Sequence, residues 1–309
     1  MLVDSYGRPL THLRISVTGK CNYSCIFCHR EGESNTPDFL RVEHIGLVAK
    51  VAHGLGVRYF KLTGGEPLLR EDIGHIVESI KNLGNVEVSV VSNGFLLVDR
   101  VSDLIKAGLD RINVSLHSLN PEVYRMITGV NGLRRVIRGL EACVDHSLPV
   151  KLNVVVLRGL NDREYVDLID YASRRGFNIS FIELIPLGLS AKDYLKRHCT
   201  LKEVEEYLKE MAVKQYKRKF QLRPVYVMPS GIRVELVKGY GNPELCLNCS
   251  RLRLTHNGKL KPCLYRKDRL LDIRPILEAN MPLARKEELL EKALRRANSM
   301  REPFFKYCA

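Results

Sequence analysis

Tryptophan is absent from the 309 residues, and tyrosine and phenylalanine together make up only 7% of the chain. That scarcity disfavours a protein that holds single strands by stacking bases on aromatic rings. No run approaches the roughly 20 apolar residues a membrane span requires, so no membrane partner is expected. Met1-Leu2-Val3-Asp4-Ser5-Tyr6-Gly7-Arg8-Pro9 has no basic region followed by an apolar one and does not read as a signal peptide; a cytoplasmic location is the expectation. Acidic residues are in the minority, 35 against 49 basic, and the net charge of +14 suits a polyanionic partner: a nucleotide, a nucleic acid or an acidic membrane face.

What is present in excess is cysteine. Nine in a chain of this length argue against a disulfide scaffold, which belongs to short secreted domains, and six of the nine fall into two tight groups. Around them, short apolar runs alternate with amphipathic stretches. Strands are predicted at 13–17, 57–62, 86–91, 111–115, 150–156 and 179–184, and helices at 42–52, 73–83, 98–107, 133–144 and 165–175. Six βα repeats imply an α/β fold with a parallel sheet and right-handed crossovers, as an open barrel or a doubly wound sheet. Near the basic stretch Lys214–Pro224 the pattern changes to short strand-like pieces and a charged helix at 285–297. Two regions are therefore expected, residues 1–220 and a smaller 221–309.

The first group, Cys21-Asn22-Tyr23-Ser24-Cys25-Ile26-Phe27-Cys28, follows the first strand. Three thiolates on a four-iron cubane leave one iron open to a ligand, whereas zinc usually takes four protein ligands. A zinc loop borrowing His29 is the competing reading. Thr63-Gly64-Gly65-Glu66-Pro67 ends the second strand, where two glycines let the backbone lie against a small ligand and Glu66 suits an ammonium group. Ser92 and Ser115 end the third and fourth strands, where α/β barrels build their sites. Lys151 and Asn153 share one face of the fifth strand, and a lysine inside a barrel calls for an anion, phosphate or carboxylate. In the second group, Cys246-Leu247-Asn248-Cys249, a third thiol, Cys263, lies across an apparent Asn257-Gly258 turn. Arg251 and Arg253 alternate with Leu252 and Leu254, which puts both guanidinium groups on one strand face as an anion receptor.

The first group and Gly64-Gly65-Glu66-Pro67 resemble the radical S-adenosylmethionine superfamily. That resemblance implies a partial (β/α)6 TIM-like barrel with S-adenosyl-L-methionine on a 4Fe–4S cluster held by Cys21, Cys25 and Cys28. Phe27 would then lie near the adenine, and Gly64, Gly65, Glu66 and Ser115 would contact the rest of that cofactor. The second group, with Tyr6-Gly7-Arg8-Pro9, Leu13-Arg14-Ile15-Ser16-Val17-Thr18 and Arg125-Met126-Ile127-Thr128-Gly129, resembles more closely the GTP 3′,8-cyclase family of molybdenum-cofactor biosynthesis. It implies a second 4Fe–4S cluster on Cys246, Cys249 and Cys263 and GTP contacts from Arg14, Lys61, Ser92, Lys151, Arg251 and Arg253. It further implies a ferredoxin- or flavodoxin-like electron donor, leaves a homodimer open, and gives no reason to expect nucleic acid.

The chain departs from the family at several points. Tyr59 stands where a lysine is frequent and Lys61 where an arginine is; strand alternation turns Arg58 to the face opposite Lys61. Ser180 stands where many members have arginine, and the chain ends in Phe305-Lys306-Tyr307-Cys308-Ala309 rather than two glycines. Rival readings are a two-cluster enzyme acting on a peptide or another nucleotide, and a zinc-stabilised RNA binder. Cys143 is expected in a helix core, with Cys199 and Cys308 incidental.

Overall fold

The computed structural model describes residues 1–33 and 36–304. The end of the chain from Phe305 onward, Cys308 included, lies outside the described residues. Twelve strands form one sheet: β1 (His12–Thr18), β2 (Tyr59–Gly64), β3 (Glu87–Ser92), β4 (Arg111–Ser115), β5 (Val150–Val156), β6 (Asn178–Glu183), β7 (Lys214–Lys217), β8 (Pro224–Val227), β9 (Arg233–Val237), β10 (Arg251–Leu254), β11 (Lys259–Lys261) and β12 (Leu271–Asp272). Their order is β12-β11-β10-β1-β2-β3-β4-β5-β6-β9-β8-β7. The run from β10 through β1 to β6 and on to β9 is parallel throughout. Side chains from β1, β2, β4, β5, β6, β9 and β10 line a single cavity, so the sheet curls into a partial barrel.

The six βα units form as their apolar patterning requires. Leu13, Ile15 and Val17 of β1 are fully buried, as are Leu152 and Val154 of β5, against helices packed outside the sheet. Helices Val42–Gly54, Ile73–Lys81, Leu97–Lys106, Leu133–Asp145 and Tyr165–Arg175 match the expected positions to within a few residues. Helix Pro121–Thr128 escaped the periodicity because it is short. Its local signals are clear in the structure: Asn120 caps it by accepting from the Glu122 and Val123 amides, Pro121 opens it, and Gly129 ends it at φ 77°.

The strands of residues 221–309 join the same sheet at both sides, β9 beside β6 and β10 beside β1. The stretch Lys214–Pro224, read from sequence as a basic connection, carries β7 in its first half. Lys-Gln-Tyr-Lys has no apolar face, so periodicity misses it; its four residues sit exposed on the sheet edge, held by backbone pairing to β8. The following residues turn back across the barrel, with Gln221 and Leu222 at φ 61° and 44°. Such left-handed conformations cost non-glycine residues about 1–3 kcal/mol each and persist only where neighbours hold them.

Candidate active site

The first cysteine loop springs from the end of β1 and is braced by the glycines of the next strand. The Gly65 amide donates to the Thr18 carbonyl and the Glu66 amide to the Lys20 carbonyl, each at 2.7 Å. A Cβ on Gly65 would run into the Lys20 carbonyl, and one on Gly64 (φ 145°) into that of Thr18. The glycines thus admit the backbone of the cysteine loop itself, not only a ligand as the sequence suggested. Cys25 is driven up to about 12 by burial and by the charges of Cys28 and Cys21, and Cys21 in turn feels Cys28, so the three thiols lie within electrostatic reach of one another. No disulfide joins the described cysteines. Three clustered thiols on one loop fit a metal cluster that neutralises their mutual repulsion.

Glu66 is buried, and burial raises its carboxyl to about 7 even though the amides of Asn93 and Leu68 and the Ser92 hydroxyl all donate to it. A bound ammonium group would offset that burial. Ser92 is therefore committed to Glu66, its Oγ donating at 2.7 Å, and does not face the main cavity as expected of a GTP contact. Ser115 is half-buried at the end of β4, in register with Asn153. Phe27 packs edge-on against His117 at 4.7 Å and, with Ile26, Leu157, Leu184 and Leu189, forms the apolar side of a separate cavity of about 350 Å³ whose other side is Asp193, Lys196 and Arg197.

The main cavity, roughly 310 Å³, has His29 and Glu31 from the first cysteine loop on its wall together with Cys246, Cys249 and Cys263. Cys246 belongs to the short helix Pro243–Leu247, Cys249 follows it, and Cys263 lies beyond the β10–β11 hairpin, whose Gly258 turns at φ 78°. The loop is held from both chain ends: Arg8 Nη1 donates to the Cys246 carbonyl at 2.8 Å and Arg301 to that of Cys249. Burial alone would raise the Cys249 thiol, but Arg251, Arg301 and Arg253 overcome it and hold it below the ordinary value. A thiolate beside guanidinium groups is the donor a cluster needs.

Register aligns the cations. Arg14 on β1 lies beside Lys61 on β2 and Arg253 on β10, a row of three on adjacent strands about 4.8 Å apart. Like charges so placed repel, and sequence reasoning missed what relieves them: Glu31. Arg253 Nη1 donates to Glu31 Oε2 at 2.7 Å and Arg14 to Oε1, while the Thr63 hydroxyl accepts from Arg14 and donates to Oε1. Burial opposes the Glu31 charge, yet Arg14 and Arg253 keep its carboxyl well below the usual range. Lys261 donates to the Glu31 and Gly32 carbonyls at 3.1 and 2.7 Å, pinning the segment in place.

Other cations have no such relief. Arg251, half-buried and depressed by desolvation and by Arg253 and Arg14, forms no ion pair among the described residues and faces the Phe220 ring at 4.9 Å. Lys61 donates only to Asn113 Oδ1 at 3.0 Å, and burial with Arg111, Arg14 and Arg251 nearby lowers it far below a free lysine. Arg14 Nε and Arg8 Nη2 are buried without a hydrogen-bond partner among the described residues. A cavity with so many unsatisfied donors fits a polyanion. Lys151, expected to meet an anion, meets the buried carboxylate of Glu235 on β9, which also pairs with Arg218 and Arg223. Tyr59 is exposed and stacks on His12 at 4.5 Å outside the cavity lining, and Arg58 donates to the His53 and Val57 carbonyls, so neither adds a cation to the cavity.

Lys61→Met is expected to raise the melting temperature of the nucleotide-free protein by about 2–4 °C, because a buried unpaired charge is removed. GTP affinity should fall at the same time. A lower melting temperature on calorimetry would show the lysine to be compensated.

A curled parallel sheet with a three-cysteine loop after β1 and a glycine pair after β2 defines a radical S-adenosylmethionine enzyme, and residues 15–172 match the Radical SAM superfamily. Residues 177–307 match the Molybdenum Cofactor Synthesis C family. Proteins named "Probable GTP 3′,8-cyclase" are 49% identical in Saccharolobus islandicus (strain M.14.25 / Kamchatka #1) over 99% of both chains, and 45% identical in Thermococcus kodakarensis over 99% of this chain and 100% of the other. The chain belongs to the GTP 3′,8-cyclase family. Streptococcus suis SuiB bound to S-adenosylmethionine shares the fold at 16% identity and a TM-score of 0.65, over 93% of this chain and 66% of that one.

Proposed function

We propose that this chain cyclises GTP, joining ribose C3′ to guanine C8 to give 3′,8-cyclo-7,8-dihydro-GTP, the first step of molybdenum-cofactor biosynthesis. The observation that carries the reading is one cavity walled by the second cysteine group, by His29 and Glu31 just beyond the first, and by a row of cations. Two 4Fe–4S clusters, which Cys21, Cys25 and Cys28 and Cys246, Cys249 and Cys263 would hold, would together with S-adenosylmethionine supply the radical chemistry that activates the ribose 3′ position.

The chain's tasks are to hold, orient and exclude. Cys21, Cys25 and Cys28 hold the first cluster, and Glu66 receives the methionyl ammonium, with Gly64, Gly65 and Ser115 along the same cofactor. Phe27 and the apolar side of the cavity beside it take the adenine. Cys246, Cys249 and Cys263 hold the second cluster against the guanine. Arg14, Lys61, Lys151, Arg251 and Arg253 bind the triphosphate and ribose, anchoring the nucleotide so that C3′ is presented to the first cluster's side. Ser92 acts by orienting Glu66. Residues 1–220 thus provide the cleavage machinery and 221–309 the substrate cluster and arginine strand. Cys21 and Cys28 are exposed, which gives a ferredoxin- or flavodoxin-like donor a short route to the first cluster. Among the described residues no helix is long and apolar enough to cross a membrane.

Lys151 gives this reading a pH signature. Burial, against the pull of Glu235, lowers it to about 8 in the free protein. A polyphosphate favours its charged form and raises that value. Below pH 8 the lysine is already charged and affinity is level; above it, binding must take up a proton, and affinity falls by up to about tenfold per pH unit. Lys151→Arg, always charged, should flatten the slope. Affinity that stays level to pH 9.5 in the unaltered protein would remove Lys151 from the contacts. The reading as a whole is tested by incubating reconstituted protein anaerobically with S-adenosylmethionine, reductant and each of the four ribonucleoside triphosphates. 5′-Deoxyadenosine should form with GTP alone; formation independent of the nucleotide would favour a peptide substrate.

A further inference from the structure

The segment Arg218–Arg223 leaves the sheet edge after β7, crosses the open side of the barrel and reaches the strand at its other side. Phe220 stacks on His12 of β1 with ring centroids 4.3 Å apart. The Gln221 amide donates to the Asn248 carbonyl at 3.0 Å, within the Cys246–Cys249 loop, and the Arg218 amide to the Arg223 carbonyl at 3.0 Å. These anchors make the segment a strap fixed at its ends and middle, and its two left-handed residues show that the path is imposed by those anchors.

What the strap delivers into the cavity is charge. Arg218, Phe220, Gln221 and Arg223 all line it. The Phe220 ring carries the guanidinium groups of Arg251, Arg218 and Arg223 around it at 4.9, 5.3 and 5.7 Å. Arg223 Nη1 donates to Glu235 Oε1 at 2.8 Å, Arg218 Nη1 donates to Oε2 at 3.1 Å, and Lys151 reaches the same carboxylate. Lys151 spans from β5 to β9 across the intervening β6, where Ser180, in register with Glu235, is short enough to leave room. Three cations thus share one buried carboxylate, and Arg223 Nε is buried with no partner. One arginine would suffice to neutralise Glu235. The surplus charge and the unused donor call for a second anion in the cavity.

We propose that Arg218 and Arg223 bind the triphosphate of the substrate, completing from the β9 side the receptor that Arg14 and Arg253 begin on β1 and β10. The proposal rests on the reading of GTP as substrate. It is tested on the full cluster-reconstituted chain by anaerobic equilibrium binding of GTP, GMP, guanosine and ATP to the unaltered protein, Arg218→Ala, Arg223→Ala and Arg223→Lys. Arg223→Ala should weaken GTP about 30–300-fold, GMP less, and guanosine by no more than about twofold; Arg218→Ala, half exposed, about tenfold for GTP. Arg223→Lys should fall between. Cluster absorbance reports whether each variant keeps its second cysteine loop, and if Arg223→Ala loses it, Arg218→Ala and Arg223→Lys decide. Equal weakening of GTP and guanosine, or none with both clusters intact, overturns the strap's role. ATP binding as tight as GTP in the unaltered protein would instead overturn the substrate reading, and the phosphate dependence of the variants would still decide the strap.

Discussion

Gly65→Ala is expected to cost the protein its first cluster while sparing the second. Its Cβ would occupy the position of the Lys20 carbonyl oxygen, and the Gly19 carbonyl lies 2.9 Å away. Neither is a flexible side chain that can swing aside; both are backbone of the loop that presents Cys21. The loop must move bodily, breaking the amide contacts to Thr18 and Lys20 and separating Cys21 from Cys25 and Cys28. Iron after anaerobic reconstitution should fall to roughly half, and cleavage of S-adenosylmethionine by more than about a thousandfold. Gly46→Ala is the matched control, since its Cβ would meet Ser79 at an ordinary 3.6 Å inside a helix. A full iron complement in Gly65→Ala would mean that the glycine pair serves a ligand and not the loop.

Arg251→Ala should produce, with Arg223→Ala, one of the two largest losses of nucleotide affinity of any single cation, about a hundredfold or more for GTP. The reason is its lack of a competing partner. Arg14 and Arg253 share Glu31, and part of their hydrogen-bonding capacity is spent within the protein. Arg251 has only the Phe220 face and the nearby Cys249 thiol, so its donors are available to the substrate. Arg253→Ala is a less direct test, because it leaves Glu31 short of a partner and destabilises the fold as well. Guanosine binding compared with GTP separates the two effects. Equal loss for both ligands in Arg251→Ala would move the residue from the phosphates to the guanine or to the cluster.

Both cysteine groups were legible because their spacing is local: a few residues of chain decide which thiols share a loop. The barrel strands were legible for a similar reason, their apolar runs being buried by helices on one side whatever the far side holds. Register followed once alternation turned Lys151 and Asn153, or Arg251 and Arg253, to one face. The missing pieces are those created by closure of the sheet. Glu31 meets Arg253 across 222 positions of sequence, and Lys151 meets Glu235 across 84. Nothing near either carboxylate announces its partner. The Ser92–Glu66 contact was missed because a strand-end hydroxyl looks alike whether it faces a ligand or a buried glutamate. The strap was missed because its basic residues read as solvated connection, while their placement depends on a stacking contact between Phe220 and His12, far apart in the sequence.

The most direct test of the account is an isotope transfer. GTP deuterated at ribose C3′ would be incubated anaerobically with the reconstituted protein, S-adenosylmethionine and reductant, and the products read by mass spectrometry. The account predicts deuterium in 5′-deoxyadenosine together with a nucleotide that is an isomer of GTP. Unlabelled 5′-deoxyadenosine, or labelled 5′-deoxyadenosine with unchanged GTP, would contradict it.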